Sequence, residues 1–447
     1  MNFPESFWNT LPPLSISEKK AIIDSHNAQP HVSVRYNPFK PVIPFTDTIP
    51  VSWAHNSAYL PSRPSFTADP LWHAGAYYVQ EASSMFLEQA FIQHVNLEHS
   101  QVALDLCAAP GGKSTHIASL LSPDSILFSN EVIANRAGIL ADNMSKWGRL
   151  NTWVTHSDPR QWGRLEALVD LLIVDAPCSG SGLFRKMPEY INEWSSDLVA
   201  LCAQRQQRIL HDAYPVLKKD GLLIYMTCSM SVAENEEIID HMISQYSMQS
   251  LPISLHQDWG VQEVITPNGA VCYRLAPHML KGEGFFLAVL QKNYGKHKNV
   301  LPSKQKQLKN NISNVFQFIQ PEIHSIITHG DYVVAIHPAH SAYLDLQGKI
   351  KINKRGVLIG KNMKNDIVPE HELALYTGNH FPHTIALTLQ QAQLYLQKEV
   401  FPIDIHQKGW YLATYQGLAL GWIKQLGNRF NNYFPTNSRI LSKNILT

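Results

Sequence analysis

Between residues 101 and 291 the chain repeats one hydrophobic pattern. A short apolar run is followed by a turn of small residues and then by a stretch with apolar residues at helical spacing. Short β-branched and aliphatic runs are typical of strands that are buried on both faces, as in parallel sheets. Strands that alternate with helices predict a doubly wound α/β sheet. We expect strands at 102–106, 126–130 and 151–155 and two further strands ending at Asp175 and Thr227, with helices at 114–121, up to Trp147, and at about 196–217.

The regions on either side have other patterns. A length of 447 residues favours about three domains at roughly 150 residues each. Residues 1–95 are rich in Pro, aromatic residues and Ser, residues 292–311 are rich in Lys, and residues 312–447 are typical of a small α+β or β-rich domain. We therefore predict an N-terminal domain at 1–95, a central domain at 96–291, a basic linker at 292–311 and a C-terminal domain at 312–447.

Two of the predicted strands end in cysteine. Asp175-Ala-Pro-Cys178 follows one apolar run, and Thr227-Cys228-Ser229 follows the next. Because ligands of open α/β sheets bind at the carboxyl ends of the strands, both thiols and one carboxylate should lie in a single cleft. Thiolates attack electron-poor carbon well, and few reactions need two thiols without a disulfide or a metal. Buried cysteines more often only pack, and we expect that of Cys202 and Cys272.

A series of acids marks a predicted cofactor site. Each of the successive strands ends in an acid, in the order Asp105, Glu131, Asp158 and Asp175. The turn at 105–115 contains Gly111 and Gly112, whose small size lets the backbone approach a ligand at a helix N-terminus. An acid about 20 residues beyond such glycines is placed to bind ribose hydroxyls. Any one acid could simply cap a helix, but the series predicts a nucleoside cofactor.

The composition and charge of the chain indicate its cellular compartment and its possible partners. Five widely spaced cysteines form no disulfide framework or zinc-ligand pattern, so a reducing compartment is expected. No signal peptide and no run of about 18 apolar residues is present, so we predict a cytoplasmic protein without membrane contact. The net charge is only +1, yet stripes free of acids at 292–311, at 346–364 after Asp345, and beyond Asp404 suit phosphate contact or solvated surface. Arg185 could likewise contact phosphate or lie on solvated surface.

Several ordered motifs resemble those of the RNA cytosine-5 methyltransferases of the Nop/Sun family. They lie at 75–85, 105–113, 175–180, 227–229 and 282–286, and the resemblance covers about residues 30–290. The run at 417–435 is similar to the tail domain of the bacterial RsmF type. The resemblance implies a Rossmann-like class I methyltransferase domain between an N-terminal RRM-like domain and a C-terminal PUA-like α+β domain. The implied partner is RNA, 16S ribosomal RNA above all, bound by a monomer.

The resemblance also implies roles for single residues. Cys228 occupies the family's nucleophile position, which adds to carbon 6 of cytosine, and Cys178 occupies the position that assists release. We expect Asp175 to hydrogen-bond ring nitrogen 3 and Lys113 to supply positive potential for the thiolate. The residues expected to hold S-adenosylmethionine are Cys107, Ala108, Ala109, Pro110, Gly111, Gly112, Lys113, Glu131, Asp158 and Asp175, with Asp105 beside them.

Other functions remain open at this point. The substrate could be transfer RNA instead of ribosomal RNA. A DNA cytosine methyltransferase would use a Pro-Cys nucleophile at the position of Cys178, but Thr-Cys-Ser at Cys228 disfavours it. A ribosome-assembly factor that only binds RNA would have no use for both thiols.

Overall fold

The computed structural model describes residues 2–296, 313–363 and 366–441 of the chain. The predicted linker at 292–311 therefore lies outside the described residues from position 297 onward. In the described residues the central alternation of strands and helices is confirmed. Across all the described residues, no helix is long and apolar enough to cross a bilayer.

The N-terminal region contains one antiparallel sheet. Its elements are α1 (Glu5–Trp8), α2 (Ile16–Asn27), β1 (Val32–Tyr36), β2 (Ile49–Pro50), β3 (Ser57–Leu60), α3 (Pro70–His73), β4 (Tyr77–Val79) and α4 (Leu87–His94). The strand order β2-β3-β1-β4 is that of an RRM-like sheet, although no helix joins β1 to β2. Because alternate residues of a strand face opposite sides, Val34 packs with Leu60 and Phe66, whereas Arg35 donates to Thr115 of the central region at 2.6 Å.

The central region is built on a large mixed sheet. Its elements are β5 (Val102–Asp105), α5 (Gly112–Leu120), β6 (Ile126–Asn130), α6 (Ala134–Trp147), β7 (Thr152–Thr155), α7 (Pro159–Gly163), β8 (Val169–Asp175), α8 (Tyr190–Glu193), α9 (Ser196–Ala213), β9 (Leu217–Thr227), α10 (Glu236–Tyr246), β10 (Met248–Ser250), β11 (Gln262–Ile265), β12 (Val271–Leu275) and β13 (Phe285–Lys292). Five parallel strands follow the order β9-β8-β5-β6-β7, and β13, β12 and β11 continue antiparallel beyond β9. This is a Rossmann-like core.

Two features of this sheet position the site. Strand β8 is buried on both faces, since Leu171 and Ile173 join one hydrophobic cluster and Leu172 and Val174 join the other. That burial explains why its sequence is a continuous apolar run. The chain leaves β5 toward β6 on one side and later returns to β8 on the other. The carboxyl ends of β5 and β8 therefore flank a topological switch point, where open α/β sheets bind ligands.

The C-terminal region forms two four-stranded sheets, β14-β15-β17-β18 and β19-β20-β21-β22. Its elements are β14 (Ser325–His329), β15 (Tyr332–Ile336), β16 (Ile352–Arg355), β17 (Val357–Met363), β18 (Asp366–Pro369), α11 (His371–Leu375), β19 (Thr384–Ala386), α12 (Leu389–Gln397), β20 (Gly409–Tyr415), β21 (Leu418–Gln425) and β22 (Phe430–Asn432).

This region is less separable than its sequence indicates. Strand β16 leaves the two sheets and pairs antiparallel with β7, as the last strand of the central sheet. Val334 and Ile336 also join the hydrophobic cluster that contains Phe128 and Trp153. The sheet and the core thus continue across the predicted boundary at 312. Removal of residues 312–447 would therefore uncover β7 and apolar surface of the central region.

Candidate active site

The two predicted thiols lie side by side at the carboxyl edge of the central sheet. Cys178 follows β8 and Cys228 follows β9, and these strands are parallel neighbours. The two Sγ atoms are 2.9 Å apart, and both cysteines are free. The hydrogen bond to Cys228, together with burial, raises the pKa of Cys178 well above its usual value. Cys178 is therefore a neutral thiol near pH 7 and can hydrogen-bond to a thiolate on Cys228.

A buried carboxylate that sequence reasoning missed joins the two cysteine loops. Glu234 is fully buried. It accepts hydrogen bonds from the backbone N–H and Oγ of Ser179 at 2.8 and 2.6 Å, and from Oγ of Ser229 at 2.6 Å. Each serine directly follows a cysteine, so Glu234 sets the positions of both loops. Its only signal in the sequence is an acid between Thr-Cys-Ser and an apolar helix, where an acid is usually a helix cap.

Lys113 and Asp175 form an ion pair next to the thiols. The Nζ atom of Lys113, in the first turn of α5, is 2.7 Å from Oδ2 of Asp175, at the end of β8. Burial opposes the charge on Lys113, but the carboxylate of Asp175 and the charge of Cys228 outweigh it, so the pKa of Lys113 is raised. Lys113 therefore stays cationic. Its charge lies within electrostatic reach of Cys228, and the Asp175 side chain is about one-third exposed.

The predicted cofactor loop runs from the end of β5 into α5. Cys107 is half-buried, Ala108 and Ala109 are buried, and Pro110 is exposed. The Ala109–Pro110 peptide is cis. Gly111 has φ = 117°, a left-handed conformation that side chains rarely adopt. The turn leaves the first backbone N–H groups of α5, beginning at Gly112, directed at the carboxyl edge of the sheet, where an anionic group binds well.

Asp105 lies beneath this loop. Its side chain is fully buried, and Oδ2 accepts a hydrogen bond from Oγ of Ser114 at 2.6 Å. Burial raises the pKa of Asp105 to about 7. The other oxygen, Oδ1, is buried without a hydrogen-bond partner among the described residues. Buried polar atoms are normally satisfied, so this oxygen can accept a hydrogen bond from a cationic or N–H group of a ligand.

The remaining two acids have different surroundings. Glu131, after β6, is 3% exposed. Its Oε1 accepts from the backbone N–H of Ile133 at 2.9 Å, and its Oε2 is 3.4 Å from Arg136. Asp158, after β7, is exposed and caps α7 by accepting from the backbone N–H of Arg160 at 2.9 Å. Asp158 thus caps a helix at the surface, whereas Glu131 is buried and holds the turn before α6.

These residues fit S-adenosylmethionine. The cofactor has an ammonium and a carboxylate on its methionine part and two hydroxyls on its ribose. The orphaned oxygen of Asp105 suits the ammonium, the N-terminus of α5 suits the carboxylate, and Glu131 suits the hydroxyls. When bound, the cofactor supplies an electrophilic methyl group.

Arg185 has neither of the two roles left open by the sequence, phosphate contact or solvated surface. Arg185 is buried, and its guanidinium donates to Glu283 and to the carbonyl oxygen of Gly282, each at 2.7 Å. These bonds join the loop after Cys178 to the 282–286 motif. The guanidinium is therefore not available to RNA.

Comparisons with known proteins agree with this geometry. The family model for 16S rRNA methyltransferase RsmB/F matches residues 92–291. The model for the N-terminal domain of 16S rRNA methyltransferase RsmF matches residues 3–82, and that for the methyltransferase RsmF PUA domain matches residues 382–440. The three matches follow one another along the chain in the order expected.

Similar proteins and structures extend this result. Ribosomal RNA small subunit methyltransferase F of Shewanella woodyi is 30% identical over 381 residues, 81% of this chain and 78% of the relative. The protein of that name from Salmonella arizonae is 30% identical over 386 residues, with the same coverage of both chains. A crystal structure of a methyltransferase homolog protein from Pyrococcus horikoshii has a TM-score of 0.53 and 28% identity, and the match covers 64% of this chain and 93% of that one. The chain therefore belongs to the ribosomal RNA small subunit methyltransferase F family, as a methyltransferase with S-adenosylmethionine as its cofactor.

Proposed function

We propose that this enzyme forms 5-methylcytosine in 16S ribosomal RNA through a covalent bond between Cys228 and carbon 6 of the base. The observation that carries the proposal is the pair of free thiols 2.9 Å apart beside the ion pair of Lys113 and Asp175. The choice of RNA rests on the names of the relatives and family models, which specify the small ribosomal subunit. The RRM-like and PUA-like regions would then bind the RNA around the target.

The first step activates a poor nucleophile. Carbon 5 of cytosine attacks only after a thiolate has added to carbon 6. Lys113 places a cation close to the sulfur of Cys228, and a nearby cation stabilises a thiolate. Attack at carbon 6 moves an electron pair toward ring nitrogen 3, which takes up the proton lost by the Cys228 thiol, passed on by the carboxylate of Asp175. Lys113 is paired with that carboxylate and keeps it in place.

The second thiol completes the reaction after carbon 5 has gained its methyl group. The pKa of Cys178 is raised chiefly by its hydrogen bond to Cys228, and that bond is lost once Cys228 is bonded to carbon 6. The pKa of Cys178 then falls, so the thiol more readily loses its own proton to solvent, and the resulting thiolate can take the proton from carbon 5. The released electron pair restores the 5,6 double bond, the carbon–sulfur bond breaks, and the proton on nitrogen 3 passes by way of Asp175 back to the sulfur of Cys228.

The RNA target is tested by bisulfite sequencing of total RNA from a strain that lacks the gene. We expect one or more cytosines of 16S ribosomal RNA to lose their methyl group, and a plasmid-borne copy to restore it. A loss confined to transfer RNA would overturn the ribosomal substrate. If no cytosine changes, the cytosine-5 activity itself is excluded.

Substitution of Glu131 by alanine should weaken binding of S-adenosylmethionine by about 10- to 150-fold. The change removes a charge-assisted hydrogen bond to a ribose hydroxyl, which contributes about 1.5–3 kcal/mol. Calorimetric titration with the cofactor is the measurement. Glu131→Gln keeps one acceptor oxygen and should therefore lose less affinity for the cofactor. An unchanged dissociation constant for Glu131→Ala would remove Glu131 from the cofactor site.

Basic residues of the C-terminal region should contribute phosphate contacts. Because deletion of this region would open the central core, we expect the clean test to be the triple change Lys408→Gln, Lys424→Gln and Arg429→Gln. Each lost contact should reduce the slope of log affinity against log salt by about 0.7–0.9, while cofactor affinity stays unchanged. An RNA affinity with wild-type salt dependence would argue against phosphate binding by these residues.

A further inference from the structure

A cavity lies outside the catalytic cluster, between the N-terminal sheet and α6. Its volume is about 270 Å³. Aromatic side chains and two cations dominate its lining, namely Arg63, Phe66, Trp72, Tyr77, Tyr78 and Lys146. Neither the cofactor site nor the two thiols use any of these residues.

The aromatic rings of this cavity are held firmly and remain accessible. Trp72 lies in α3, which begins with Pro70 and is capped by Asp69 through a 2.9 Å bond from the backbone N–H of Leu71. Tyr78 lies on β4, at the edge of the N-terminal sheet. Both rings are only half-buried. Rigid aromatic rings that are open to solvent are the surfaces on which unpaired bases stack.

Neither of the two cations forms an ion pair within the described part of the chain. Nζ of Lys146 is 3.7 Å from the centroid of the Trp72 ring, and the guanidinium of Arg63 is 5.4 Å from that of Phe66. Within the described residues, the ion pairs include neither of them. Burial lowers the pKa of Lys146 to about 8, partly opposed by the charge of Asp142. A phosphate would supply the missing counter-charge.

The size and position of the cavity limit what can occupy it. Pockets for drug-sized molecules have volumes of roughly 300–1,000 Å³, so this one suits a group as small as a single base. It adjoins the predicted cofactor loop, because Asn143 of its lining donates to the carbonyl oxygen of Pro110 at 2.8 Å. Tyr78 also lies against Gly112, where an added Cβ would be 3.3 Å from the ring.

We propose that this cavity binds one unpaired base of the RNA substrate, stacked on Trp72 and Tyr78, with an adjacent phosphate paired to Lys146 and Arg63. The inference rests on the proposed function, since it takes RNA as the substrate. It adds an anchoring site beside the cofactor loop, separate from the cleft that receives the target cytosine. A base held there would fix the RNA strand relative to Cys228.

The test is binding of a fluorescently labelled single-stranded fragment of 16S ribosomal RNA to the full chain, measured by anisotropy across a salt series. Trp72→Ala should weaken binding about 5- to 150-fold, the range for loss of one stacked base, and Trp72→Phe should retain most of the affinity. Lys146→Gln should lower the salt slope by about 0.7, the value for one single-strand phosphate contact. Lys219→Gln is the matched control, because this residue at the amino end of β9 is half-buried and outside the ion pairs of the described residues, as Lys146 is, and lies away from Cys228.

A second readout locates the base directly. RNA that carries 5-iodouracil should photocrosslink to the peptides that contain Trp72 or Tyr78. Calorimetric titration with S-adenosylmethionine shows whether each variant is folded. If Trp72→Ala fails that check, Trp72→Phe, Lys146→Gln and the crosslink decide the question.

The outcomes separate this inference from the proposed function. Wild-type affinity for Trp72→Ala, an unchanged salt slope for Lys146→Gln and no crosslink to either peptide would overturn the cavity assignment, even if the wild-type enzyme makes 5-methylcytosine. If the crosslink forms and the variants lose RNA affinity as expected, but the wild-type protein forms no 5-methylcytosine, the RNA site stands and the proposed reaction is overturned.

Discussion

Replacement of Cys228 by alanine should abolish methyl transfer, by about 10⁴-fold or more, and should leave no covalent bond between protein and RNA. Replacement of Cys178 by alanine should have the opposite effect on the covalent bond. In the Cys178→Ala variant, Cys228 can still add to carbon 6, and carbon 5 of the base can still gain the methyl group. It then lacks the base that removes the carbon-5 proton, so protein and RNA remain linked.

A denaturing gel of each variant after incubation with RNA is the measurement. The Cys178→Ala protein should give a slowly migrating band that requires S-adenosylmethionine, because the stall follows methyl transfer. Cys202→Ala is the matched control, since Cys202 is buried in α9. This variant should methylate RNA as the wild type does. A band from Cys228→Ala and none from Cys178→Ala would reverse the two roles, with the Pro-Cys thiol as nucleophile, as in the DNA enzymes.

Replacement of Glu234 by alanine should also have a large effect, although this side chain touches neither RNA nor cofactor in the proposed mechanism. The change leaves the hydrogen-bond donors of Ser179 and Ser229 buried without their acceptor. Hydrogen bonds to a charged group contribute about 1.5–3 kcal/mol each, so we expect the free energy of unfolding to fall by about 3 kcal/mol or more. The cysteine loops should lose their relative position, and methylation should fall at least about 100-fold for a misplaced catalytic group.

The isosteric Glu234→Gln separates positioning from overall stability. It retains an acceptor for Ser179 or Ser229 and should recover much of the stability. It also removes a negative charge that helps to raise the pKa of Cys178, so that pKa should fall. The measurement is the pH dependence of iodoacetamide alkylation at each cysteine, read by mass spectrometry. Alkylation of Cys178 should begin at lower pH, and Glu237→Gln, at an exposed acid of α10, should change nothing. Unaltered alkylation profiles together with wild-type methylation in Glu234→Ala would exclude this role.

Much of the central region was predictable from sequence because its signals are local. Strand β6 has the predicted bounds, 126–130, and α6 ends at Trp147 as expected. A strand that is buried on both faces needs a continuous apolar run, and such a run is visible without any partner. The same reasoning placed Cys178 and Cys228 at one edge, since parallel strands bring their carboxyl ends together.

What the sequence by itself determined is therefore the order of the elements and the edge at which the chemistry-bearing residues meet. The tertiary structure alone decided which groups are partners. Arg185 is bound to Glu283, far along the chain, Glu234 joins two separate loops, and β16 extends a sheet begun in another region. Local patterns record how deeply a residue is buried and in which type of element. The partner of a buried charge depends on how distant segments pack, because any of the chain's opposite charges could satisfy it until the fold brings one within hydrogen-bond distance.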